Sequence, residues 1–189
     1  MKIFHVNKVM TFSIYYRKKR NSHLFQSLEN SDIGLSKLQN YNPIYNRFFT
    51  LNDTNNNSII LNSNNYITDF INSTDNHNIQ GKIINSKNDK TVKKEIFIKY
   101  GPLLDPLKYL AGKYENTDIC LLPRYGETSK IDKLDDVNNS AYVDGFMTYL
   151  TSNLLHHNNF HHGLDFYGSF IGVKENFEFD IVDDVEAIH

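Results

Sequence analysis

Three groups of residues in this chain carry side chains suited to chemistry. The first is a lysine closing an alternating run, Glu95-Ile96-Phe97-Ile98-Lys99-Tyr100. Period-two alternation sets Ile96 and Ile98 on one face of a strand and Phe97 and Lys99 on the other. Lys99 is then either a solvated strand-end residue or, on a nucleotide-binding sheet, the ammonium that meets a phosphate; residue type alone favours solvation. The second is Asp144, in a segment of helical periodicity, where a carboxylate near the positive N-terminal end is favourably placed. The third is the cluster His156, His157, His161 and His162. His157 and His161 are spaced i,i+4, and paired imidazoles bind zinc if a third ligand converges. Asn158-Asn159 breaks helix geometry between them and Cys120 is distant in sequence, so solvated turn histidines are the simpler reading, with His157 anchoring the turn.

The elements that must position these groups are legible to different degrees. Tyr66 to Ile71, Ile79 to Ile84 and Val92 to Tyr100 are short runs rich in β-branched and aromatic residues, separated by Asn, Ser, Asp and Lys turns, which predicts two successive hairpins. Asp105 before Pro106 is an N-cap followed by proline at the first helical position, and Leu107, Leu110, Ala111 and Tyr114 predict a helix of about three turns. An irregular, charged connection runs from Glu115 to Val137. A second helix is predicted from Ser140, with Val143, Met147, Leu150 and Leu154 as its apolar stripe and an end near His156 to Asn159. Leu164 to Val173 and Phe177 to Val182 then read as two strands joined by a Lys174-Glu175-Asn176 turn. The first 65 residues are less informative. Phe12 to Tyr16 reads as a strand, the basic run Arg17-Lys18-Lys19-Arg20 as its solvated end, and Pro43 with the Asn-rich stretch from Asn52 to Asn65 as loop.

Composition sets the context. At 189 residues the chain is long enough for one domain with a core, or one lobe of a larger enzyme with an extension. A formal net charge of -2 gives no argument for a nucleic acid or a membrane surface as partner. A single cysteine excludes an internal disulfide and suits a reducing compartment. No apolar run approaches the roughly 20 residues of a membrane helix, and the N-terminus lacks the apolar core of a signal peptide. The expectation is a soluble intracellular protein.

The second half, Ile96 to Tyr114 followed by Asn138 to Phe170, resembles the serine/threonine protein kinases of large nucleocytoplasmic DNA viruses, the iridovirus and mimivirus-like families. Ile96-Phe97-Ile98-Lys99 has the apolar-x-apolar-Lys form of the kinase third strand, and the following Tyr100-Gly101-Pro102-Leu103-Leu104-Asp105-Pro106 is similar to the viral group. His157-Asn158-Asn159-Phe160, leading into Leu164 to Phe170, is similar to the kinase turn that seats the long helix on the sheet. The resemblance implies an α+β, protein-kinase-like N-terminal lobe at residues 66–189, an antiparallel sheet with flanking helices, preceded by an Asn-rich N-terminal extension at residues 1–65. It implies ATP as cofactor, with Lys99 reaching its phosphates and Asp144 as the candidate acidic partner of Lys99. It further implies a protein substrate, or another viral or host protein, as partner, and a location in the host cytoplasm or virion.

The departures are equally specific. No G-x-G-x-x-G precedes Lys99, so Asn72 to Asn78 would have to act as an atypical phosphate cover. The acidic helix position expected from kinases falls near Thr148, with Asp144 one turn earlier on the same face. No H-R-D-x-x-x-x-N and no D-F-G occurs; Asp165-Phe166-Tyr167-Gly168 resembles the latter only superficially. Magnesium ligands and the base would belong to a catalytic lobe that is absent here, so no catalytic residue and no metal ligand is assigned. The expectation is therefore a lobe inactive alone. The alternative is a non-catalytic, kinase-like protein-interaction module.

Overall fold

The structure, a computed structural model, describes residues 13–115 and 117–179. In chain order these form β1 (Tyr16–Lys18), α1 (Ser22–Glu29), β2 (Leu35–Gln39), a 3-10 turn (Pro43–Arg47), β3 (Ile59–Leu61), β4 (Asn65–Ser73), β5 (Asn78–Asn85), β6 (Thr91–Phe97), α2 (Pro106–Leu110), α3 (Asp132–Asp135), α4 (Ser140–Asn158) and β7 (Ile171–Lys174). The fold is α+β, with three small antiparallel sheets: β1 with β3, β2 with β7, and β4-β5-β6. No helix among the described residues is long and apolar enough to cross a membrane.

The three-stranded sheet follows from its sequence. Ile67, Ile79, Ile83 and Ile96 alternate onto one face, and α1 covers them with Leu24, Phe25 and Leu28. Burying each such aliphatic side chain stabilises the fold by about 1.5–3 kcal/mol before entropy is counted. Gly81, at the centre of β5, is required by packing: a Cβ there would lie 2.9 Å from Ile96 Cδ1 and 3.1 Å from the Asp69 carbonyl oxygen. A second core joins Tyr142, Phe146 and Tyr149 of α4 to Tyr41, Ile44, Tyr45, Leu51, Ile59 and Leu61, with Phe166 and Ile171.

The predicted hairpins are present, with β6 ending at Phe97 rather than Tyr100. Several other expectations need correction. The Asp105 cap forms, its carboxylate accepting from the Leu107 and Lys108 amides, but α2 stops at Leu110, and Gly112 follows with φ +75°. No residue of α2 is buried, so packing gives it no reason to continue. In α4 the expected apolar stripe is only partly turned inward: Val143 is 38% and Met147 49% exposed and Leu150 and Leu154 are half-buried, while the aromatic row Tyr142, Phe146 and Tyr149 is buried. Of the segment Leu164 to Val173 only Ile171 to Val173 is strand, extended to Lys174, and it pairs with β2 rather than with the hairpin sheet. The predicted strand Phe177 to Val182 has no strand over 177–179; its remainder lies outside the described residues. Phe12 lies outside them too, and the N-terminal strand begins at Tyr16 and takes in Arg17 and Lys18, with Arg17 and Lys19 over the ring of Tyr66.

Packing runs continuously across position 65. Residues from Leu24 to Leu61 supply side chains to both cores. The Asn-rich turn is also structural: Asn55 is buried, donating to Tyr16 Oη and the Thr50 carbonyl, and Asn57 Oδ1 accepts from the Asn40 and Tyr41 amides.

Candidate functional site

Lys99 lies two residues beyond the end of β6, in the loop between β6 and α2, which packs against the start of α4. That loop is held on both sides. The Ile98 amide donates to the His77 carbonyl at 2.7 Å, extending the β5–β6 ladder, and Leu103 offers its carbonyl to Asn139 Nδ2 at 2.9 Å. Gly101 lies against Ala141 of α4, where an added Cβ would meet the Ala141 Cβ at 3.3 Å. Asn139 caps α4, its Oδ1 accepting from the Ala141 amide while Nδ2 also donates to the Lys133 carbonyl.

These contacts set Lys99 Nζ 2.8 Å from Asp144 Oδ2. The two sequence-predicted site residues thus form an ion pair. Both remain in water, with side chains 68% and 51% exposed. Thr148, where kinase spacing would set the acidic residue, turns its hydroxyl back to the Asp144 carbonyl at 2.9 Å.

The β4–β5 turn sits beside this loop. His77 stacks on Phe97, with ring centroids 5.4 Å apart, and its Nδ1 is 2.9 Å from the Ile98 carbonyl oxygen. Tyr100 packs against the same imidazole and donates its hydroxyl to the Asn76 carbonyl. Within the turn, Asp75 Oδ1 accepts from the His77 and Asn78 amides at 2.7 Å each, and Oδ2 from Asn78 Nδ2. The Asn78 side chain and these amides hold the Asp75 carboxyl below the usual range. The amides that an anion would seek already face this carboxylate.

A second polar cluster was not foreseen from the sequence. Asp165 receives His156 Nε2 at 2.6 Å on Oδ1, and on Oδ2 the Tyr167 hydroxyl at 3.0 Å and Lys94 Nζ at 3.3 Å; Lys94 also bonds Tyr167. Burial pushes the Asp165 carboxyl up, but these bonds outweigh it and the net shift is downward. The group fastens β6 to the end of α4 and to the segment after it. Its members lie far apart in sequence, with no periodicity to announce them. His157 has its imidazole pKa lowered, first by burial and then by Lys87 and His156. Among the described residues no group of three or more His, Cys, Asp or Glu side chains converges as a metal site.

A groove of about 340 Å³ lies elsewhere, lined by residues including Tyr41, Arg124, Tyr125 and Asp135, and does not include Lys99. No family model matches the chain, and no curated protein or solved structure matches it.

Proposed function

We propose that this chain is the ATP-binding lobe of a serine/threonine protein kinase of the type found in large nucleocytoplasmic DNA viruses, with Lys99 contacting the phosphates and Asp144 orienting its ammonium. The single observation that carries this reading is the 2.8 Å approach of Lys99 and Asp144, which come from separate elements. In such an enzyme the γ-phosphoryl group passes to a protein hydroxyl, and catalysis rests on positioning and charge stabilisation. This lobe would hold the nucleotide; the base and magnesium ligands would come from a complementary lobe. Lys99 is accessible to a phosphate as it stands, and Asp144 limits the directions in which the ammonium points.

A second reading, a kinase-like interaction module without nucleotide, is favoured by the occupation of the β4–β5 turn amides by Asp75. Titration of ATP against the wild-type chain and Lys99→Ala separates the two. A charge-assisted contact to phosphate contributes about 1.5–3 kcal/mol, so the nucleotide reading expects weak binding that falls roughly ten- to a hundredfold in the variant. Equal affinities, with both proteins folded by circular dichroism, would leave the interaction module as the function.

A further inference from the structure

Among the described residues, strand β6 is the outer strand of its sheet and has only β5 beside it. The Ile98 amide and the Lys90 carbonyl both point toward β5, and the register between them is unbroken. Alternation along an antiparallel ladder therefore turns the backbone N–H and C=O groups of Thr91, Lys93, Glu95 and Phe97 outward. These groups have no hydrogen-bond partner among the described residues, and all four residues are exposed, Phe97 at 65%. An open edge of this kind accepts another extended strand.

The side chains select which strand. We propose that β6 pairs antiparallel with β6 of a second copy of this chain, about a two-fold axis through Lys94, making one continuous sheet across a dimer. In that register Lys93 of each copy stands opposite Glu95 of the other, Thr91 opposite Phe97, and Val92 opposite Ile96. The residues whose backbone groups point outward then meet one another, as a hydrogen-bonded ladder requires. Shifting the axis to Lys93 sets lysine against lysine, and shifting it to Glu95 sets glutamate against glutamate, so like-charge repulsion opposes both neighbouring registers. Lys93 and Glu95 make no ion pair among the described residues of their own chain. Lys94, which would face its own copy across the axis, already has its charge drawn to Asp165 and Tyr167 on the sheet's inner face. Lysines on an edge strand ordinarily discourage pairing; here they repel strands lacking an acidic residue at the matching position and admit the chain's own.

The test is a charge exchange across the axis, read by sedimentation equilibrium over the micromolar to high-micromolar range. Wild type is expected to show a monomer–dimer equilibrium. Lys93→Glu alone and Glu95→Lys alone each place like charges opposite one another twice, and each should weaken the dimer about tenfold or more. Mixing the two variants restores opposite charges at both positions, so the mixture should dimerise near the wild-type affinity. Lys93→Pro removes an outward amide while leaving the β5 ladder intact and should give a folded monomer. A wild-type chain monomeric throughout would overturn the proposal and leave the edge open to a different protein's strand. Dimers unaffected by the single variants and by Lys93→Pro would overturn it equally, showing association through another surface.

Discussion

Lys99 Nζ stands 2.8 Å from Asp144 Oδ2, tying the loop after β6 to the second turn of α4. Because both side chains are more than half exposed, water screens the attraction, and pairs of this kind contribute about 0.2–1 kcal/mol. Asp144→Ala should therefore lower unfolding free energy by less than about 1 kcal/mol in urea denaturation. A far larger loss would mean that the pair holds the fold together rather than presenting a charged group.

The two faces of α4 should respond oppositely to truncation. Phe146 is buried in the core, stacked at 4.3 Å on Phe48, whereas Met147 is half exposed. Phe146→Ala is expected to cost about 3–5 kcal/mol, and Met147→Ala less than about 1 kcal/mol. Comparable losses from the two substitutions would contradict the orientation of the helix.

Asn139 is fully buried and uses both ends of its amide, capping α4 and bonding the carbonyls of Leu103 and Lys133. Asn139→Ala leaves those two carbonyls without a donor in addition to removing the cap. The expected cost is about 2–4 kcal/mol, above that of an ordinary exposed cap, measured by thermal or urea unfolding. Asn139→Asp, which keeps the cap acceptor but loses the donor, should recover only part of it.

Stability should also decline at both ends of the pH scale. Asp165 has its carboxyl lowered in the folded state, so its contribution is present above the unfolded value of about 3.9 and is lost as pH falls through the lower folded value. Asp165→Asn should be less stable at neutral pH and show a shallower loss of stability in acid. At the alkaline end, burial pushes the Tyr149 phenol up to about 12. Its folded value is raised, so stability is intact below about pH 10 and falls as pH rises toward the folded value. Urea midpoints across pH, with phenolate absorbance at the alkaline end, check both signs.

What could be read from the sequence was what neighbouring residues decide. The start of α2 was legible because Asp105 and Pro106 act on the very next amides, and the β4–β5–β6 hairpins because their alternation is local. The buried face of α4 was not, because the aliphatic row from Val143 and the aromatic row from Tyr142 share helical spacing. Only the tyrosines and leucines brought by residues 41–61 settle which row turns inward. Asn55 and Asn57 read only as loop because their partners, Tyr16 and Asn40, lie elsewhere in the chain. Lys99 and Asp144 were each nameable, but their contact depends on how Gly101 and Asn139 seat the loop on the helix.

The pairing of β2 with β7 has a kinetic consequence. Leu35 aligns with Lys174, so this ladder closes nearly the whole described chain into a loop. Closing so long a loop costs conformational entropy before the ladder returns any bonds, and contacts of such separation slow folding. During synthesis β2 emerges long before its partner exists, while α1 and the hairpin sheet can already bury Leu24 and Leu28 against Ile67 and Ile79. The sheet with α1 is thus the part able to assemble first, and the final strand closes the molecule.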